Sequence, residues 1–219
     1  AGAAEFVCIT PSVYYLMARK QPGDAGRRCG QRSSGGAVQA GEGRALGQDG
    51  GLVSAILLWA MEHDYVDAAL TSYFENDDMT TWKAVPGVAS TRDEVLKGAG
   101  SRYTYSANTL ALDEALEQGH KRLAMVGMSC QSSIAPTMWS RKIGKISKPI
   151  VFNIGLLCSK TFDDAIFEEL FWAKYGLPKA EMTKMNIKGV FQIWMKDGSY
   201  HEINLKECHA WTREGCNHC

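Results

Sequence analysis

Two continuous apolar runs, KRLAMVGM at 121–128 and PIVFNIGLLC at 149–158, constrain the fold of this chain most. Neither alternates apolar with polar residues, so each reads as a strand covered on both faces, the habit of strands inside a sheet flanked by helices. The first delivers Ser129-Cys130-Gln131 at its C-terminal end and the second delivers Cys158. Around them the pattern alternates irregularly between helix and strand. A helix follows Gly50 to about His63, VDAALTSYF and WKAVPGVAS are strands separated by the polar turn ENDDMTT, and TLALDEALEQG is a helix. Thr91 and Glu94 form a capping box that opens a helix to about Lys97. Thr161 is expected to start the helix DDAIFEELFWAKYG, and KMNIKGVFQIWMKDGSYHEINL is expected to be a hairpin turning at Lys196-Asp197-Gly198. The fold class is therefore α/β or α+β, a mixed β-sheet flanked by helices. Residues 1–47 read as an irregular leader or arm with one short helix near VYYLMARK, and 48–219 as one domain.

The 219 residues are 45% hydrophobic, enough for a packed core. Lys plus Arg and Asp plus Glu both number 24, which gives no field to attract nucleic acid or an anionic membrane. The longest apolar runs, such as LVSAILLWAM, are too short for a transmembrane segment, and a cytoplasmic protein is expected.

Two features carry chemistry. Gly47-Gln48-Asp49-Gly50-Gly51 precedes a helix whose free N–H groups and positive dipole end suit an anion, although Asp49 as an ordinary helix cap explains the same residues. Seven cysteines, an odd number, exclude complete internal pairing and favour metal or redox chemistry in a reducing compartment. Cys130 and Cys158 at strand ends, with the terminal pair Cys216 and Cys219, make a four-thiolate set suited to an iron-sulfur cluster or zinc. A local mixed zinc site from Cys208, His209, Cys216, His218 and Cys219 is the rival reading, and a small buried hydrophobe is the ordinary fate of a free cysteine.

The segments GQDGGLVSAIL, VASTRDEVLKGAGSRYTYSAN, LAMVGMSCQ, IGLLCSKTF, KMNIKG and LKECHAWTREGCNHC occur in the order and spacing of the coenzyme F420 hydrogenase/dehydrogenase β subunit family, which the chain resembles from about Leu46 to Cys219. The resemblance implies an oxidoreductase with one FAD, a 4Fe-4S cluster in a loop region, coenzyme F420 as substrate, and a redox partner subunit or acceptor protein. It implies cluster ligation by Cys130, Cys158, Cys216 and Cys219, and FAD contacts from Gln48, Asp49, Gly50, Gly51 and Ser54 and from Arg102, Tyr103, Thr104, Tyr105, Ser106, Ala107 and Asn108. Lys184, Lys188 and Arg213 are candidates for the anionic tail of F420 or the flavin phosphates, and Cys8, Cys29 and Cys208 receive no role. The chain departs from the pattern at Met128-Ser129 and Ala107, where many members carry proline nearby, and the family continues past the CxxC, so a C-terminally truncated chain is expected. Two alternatives stand beside this reading: the resemblance also allows a ferredoxin-fed reductase of an organic substrate of the chlorophyll-pathway type, and the cysteines and histidines allow, from a different class, a zinc-stabilised assembly subunit without catalysis.

Overall fold

A computed structural model describes the backbone of residues 5–9, 14–18, 51–76 and 79–218, and side chains within 51–216. The expected mixed sheet is present. Strands β1 (Glu5–Ile9), β2 (Tyr14–Ala18), β3 (Ala68–Phe74), β4 (Ala84–Ala89), β5 (Leu123–Met128) and β6 (Ile150–Leu156) stand in the order β1-β2-β6-β5-β3-β4. The run β3, β5, β6 is parallel, and β2 adds antiparallel to β6 and to β1. β5 and β6 are the two apolar runs. Leu123, Ala124, Met125 and Val126 are all buried, as a strand covered on both faces requires.

The helix expected near VYYLMARK is instead strand β2, whose backbone pairs with Phe152 to Leu156 of β6. Its Val, Tyr, Tyr sequence suits a strand, and the open edge of β6 supplies the partner that a local reading lacks.

Among the described residues the α-helices are α1 (Leu52–Glu62), α2 (Arg92–Lys97), α3 (Ala111–Glu117), α4 (Ser129–Ser132), α5 (Ile134–Ser140) and α6 (Gly144–Ser147), the last three lying in the β5 to β6 crossover. α2 begins as its sequence demands: Thr91 Oγ1 accepts from Glu94 N, and the Glu94 carboxylate accepts from Thr91 N at 2.9 Å. These backbone bonds, with one from Ser90 N as the largest cause, hold the Glu94 carboxyl below its ordinary range.

The chain divides into two compact units, one from 1–71, 87–100 and 108–157, the other from 72–86, 101–107 and 158–219. The first has a core of Ala68, Leu70, Ala111, Leu112, Ala115, Leu123, Met125, Ala135 and Ile150. The second contains an antiparallel sheet of β7 (Met182–Ile187), β8 (Val190–Met195) and β9 (Tyr200–Asn204), and its core is dominated by Phe162, Phe167, Phe171 and Phe191. Burying each such ring contributes about 1.5–3 kcal/mol, which makes the four phenylalanines a main source of this unit's stability. β8 and β9 turn at 196–198 as expected, with Met195 N donating to Ser199 O at 3.0 Å. A second turn at Lys188-Gly189 adds β7 and makes a three-stranded meander where a single hairpin is expected.

The helix assigned to start at Thr161 begins later and is a π-helix over Phe167–Trp172, in which Ala173 N reaches Glu168 O at 3.0 Å. Residues 161–163 are engaged elsewhere. Arg213 N donates to Thr161 O, Phe162 N to Tyr103 O and Asp163 N to Trp211 O, at 3.0, 2.9 and 2.7 Å.

Candidate functional site

Those three hydrogen bonds knit together three segments singled out in the sequence. Thr104 bridges Phe162 in parallel, and Phe162 bridges Thr212 in antiparallel fashion, so the SRYTYS loop, the CSKTF turn and the WTREGC turn run side by side within the second unit. Packing reinforces this. The Tyr103 and Phe162 rings lie 5.4 and 5.8 Å from that of Phe191, and Tyr103 Oη donates to Asn186 Oδ1 on β7. Thr104 Oγ1 donates to Trp82 O and accepts from Ala84 N, both at 3.1 Å, which engages its hydroxyl at the entrance to β4. Tyr105 carries the Arg213 guanidinium over its ring at 3.7 Å, and the Arg102 guanidinium lies over the Phe74 ring at 4.6 Å. Burial lowers Arg102 to about 10, still well above neutrality, so it keeps its charge. Ser106 is buried.

Among the cysteines, Cys158 is exposed and Cys216 is half-buried with its Sγ 3.4 Å from Thr161 Oγ1. The chain at Thr161, three residues beyond Cys158, is bonded to Arg213, three residues before Cys216. The two turns that carry these thiols are therefore neighbours. Cys130 is exposed in α4, in the first unit. It follows the end of β5 by two residues, at the C-terminal edge of the parallel run where ligands of open α/β sheets commonly bind. Cys219 lies outside the described residues. Cys208 has another fate: it is fully buried in the second core, and desolvation pushes its thiol up to about 11. That burial among apolar side chains is the ordinary fate of a free cysteine. Among the described residues no three His, Cys, Asp or Glu side chains gather as a metal site.

α4 follows β5 through a close approach. A Cβ on Gly127 would stand 2.7 Å from Gln131 Oε1 and 2.9 Å from Gln131 Cβ, so the buried Gln131 packs onto bare backbone. Gly127→Ala is expected to destabilise the protein by about 1–3 kcal/mol, read from the denaturant midpoint, because the added methyl overpacks against the buried Gln131. An unchanged midpoint would show that Gln131 yields freely.

The other candidates are placed individually. Gly51 occupies the N-cap of α1 with φ 67°, a left-handed conformation that favours glycine. Gln48, Asp49 and Gly50, and with them the reading of Asp49 as a helix cap, lie outside the described residues. Ser54 is buried in α1. Asn108 is buried and donates to Val126 O at 2.8 Å, bracing β5. Lys184 sits on β7 with its ammonium 5.2 Å from the Trp194 ring, and Lys188 is exposed at the β7 to β8 turn. Sequence reasoning missed Thr161 and Phe162 as parts of this site, taking them for a helix start. The signal was a hydroxyl three residues past a cysteine.

Comparison with known proteins gives the context. The family described as "Coenzyme F420 hydrogenase/dehydrogenase, beta subunit" matches with its N-terminal part over residues 34–113 and its C-terminal part over 120–219. The chain belongs to this family. The coenzyme F420 hydrogenase β subunit of Methanothermobacter thermautotrophicus is 32% identical over 183 residues, covering 80% of this chain and 62% of that protein. The coenzyme F420-dependent sulfite reductase of Methanocaldococcus jannaschii is 30% identical over 186 residues, covering 79% of this chain and 28% of that protein. A chain of the xenon-derivatised F420-reducing [NiFe] hydrogenase complex from Methanosarcina barkeri superposes with a TM-score of 0.73 at 26% identity, covering 80% of this chain and 60% of that one. This member of the F420 hydrogenase/dehydrogenase β family thus spans about 60% of the length of the hydrogenase chains it matches. Among its described residues no helix is long and apolar enough to cross a membrane.

Proposed function

We propose that this chain is the F420-handling part of an oxidoreductase, passing a hydride between coenzyme F420 and FAD and single electrons between FAD and a 4Fe-4S cluster, toward a partner subunit or acceptor protein. One observation carries the reading. The same stretch recurs in a hydrogenase subunit and in a sulfite reductase, proteins whose names share F420 but not the second substrate. The shared part is then the part that deals with F420.

Cys130, Cys158, Cys216 and Cys219 would hold the cluster, and their soft sulfur donors suit iron-sulfur chemistry. The adjacent turns that carry Cys158 and Cys216 support two of these four. FAD would be held by Gln48, Asp49, Gly50, Gly51 and Ser54 and by Arg102, Tyr103, Thr104, Ser106 and Asn108, with Lys184 and Lys188 for anionic groups. Gly51 at the N-cap of α1 carries no side chain of its own, which lets a phosphate approach the N-terminal N–H groups of the helix closely. The hydroxyl of Thr104 and the carboxamide of Asn108 serve the fold, so their contribution to a flavin would come mainly through loop shape. Bound flavin supplies the exchange between two-electron hydride and one-electron chemistry. The protein's share is to position and bury these groups, and no side chain is needed as a proton donor.

The test is anaerobic purification followed by mixing with reduced F420. The expected result is flavin and iron-sulfur absorbance and bleaching of the flavin band in a single turnover. A colourless protein with stoichiometric zinc would establish the structural alternative, and a coloured protein bleached by reduced ferredoxin but not by reduced F420 would establish the ferredoxin-fed one.

A further inference from the structure

We infer that Thr161 is a positioning residue for Cys216, its hydroxyl donating a hydrogen bond to the Cys216 sulfur and thereby raising the reduction potential of the metal centre which that sulfur ligates. The inference rests on the cluster reading above, since it concerns what this chain does to one ligand of that centre.

Three observations support it. The Thr161 Oγ1 to Cys216 Sγ distance is 3.4 Å, within range for a hydrogen bond to sulfur. A ligating sulfur is a thiolate and carries no proton, so the hydroxyl must be the donor. Thr161 is buried, and its neighbours are fixed on both sides: Arg213 N donates to its carbonyl, and Phe162 bridges to Thr104 and Thr212. Cys216 is in turn held by its own N–H donating to Arg213 O at 2.9 Å. The same Arg213 therefore anchors donor and acceptor, and the hydroxyl has little freedom to leave the sulfur. A hydrogen bond to a ligand sulfur withdraws electron density, which stabilises the reduced, more negative state of an iron-sulfur centre.

Thr161→Val keeps the shape of the side chain and removes the hydroxyl. In anaerobic, cluster-loaded protein it is expected to lower the reduction equilibrium constant about tenfold, equal to about 59 mV for a one-electron couple, in an EPR-monitored redox titration. Thr161→Ser should restore the parent potential. Thr212→Val is the control: it deletes a nearby buried hydroxyl that has no hydrogen-bond partner among the described residues, and it should leave the potential in place. An unchanged potential in Thr161→Val at full iron content overturns the inference while leaving the cluster reading intact. An equal shift in Thr212→Val also overturns it, by assigning the effect to repacking. Full iron retention in Cys216→Ser removes the cluster reading itself, a distinct outcome.

Discussion

Phe191→Ala is expected to cost about 3–5 kcal/mol of stability and, with it, most of the bound cofactor. Phe191 is almost wholly buried on β8, with the rings of Tyr103, Phe162 and Phe171 centred 5.4, 5.8 and 5.0 Å away. Truncation removes the surface against which Tyr103 and Phe162 rest. Those two residues also join the tyrosine loop to the Cys158 turn through the Phe162 N to Tyr103 O bond. The stability loss and the site loss should therefore appear together, as a lower denaturant midpoint and a lower iron-to-protein ratio in the same preparation. A loss below about 1 kcal/mol would show that the ring is not part of a packed core.

Cys216→Ser should abolish most of the bound iron and sulfide while the flavin band persists. A serine oxygen is harder than a thiolate and matches iron-sulfur chemistry poorly, and neither the α1 entrance nor the tyrosine loop loses an atom. Iron, labile sulfide and flavin measured on the same anaerobic sample separate the two groups. Parallel loss of both would point to a collapsed fold, which circular dichroism would reveal. Unchanged iron would remove Cys216 from the ligand set.

The parts of this fold that local chemistry dictates were legible in the sequence. β5 and β6 announce themselves by unbroken apolar runs, α2 by its Thr91 and Glu94 capping box, and the β8 to β9 turn by Lys196-Asp197-Gly198. What was lost to a local reading depends on distant partners. Tyr14–Ala18 is a strand because β6 has an edge to pair with, and Thr161–Asp163 is extended because Tyr103, Trp211 and Arg213 use its backbone groups. Within the candidate site, the cysteines and the tyrosine loop were singled out by motif, and the structure adds how buried each of them is. Nothing in KECHAW marks Cys208 as a core residue; the packing around it does. Thr104 and Asn108 read as binding groups by motif, and nothing local shows that their side chains also hydrogen-bond to Trp82, Ala84 and Val126.

The chain passes between its two units at 71/72, 86/87, 100/101, 107/108 and 157/158. The second unit's core includes Trp82, with Phe74 and Tyr103 packed against it, all contributed from upstream of residue 113, where the family's N-terminal half ends. A gene cut in the gap between the family's two halves would thus give a C-terminal product that lacks three aromatic residues of its own interior. The two halves are separate as sequence signatures yet inseparable as folding material, and a lineage that lost or exchanged one of them alone would inherit an open core rather than a spare part.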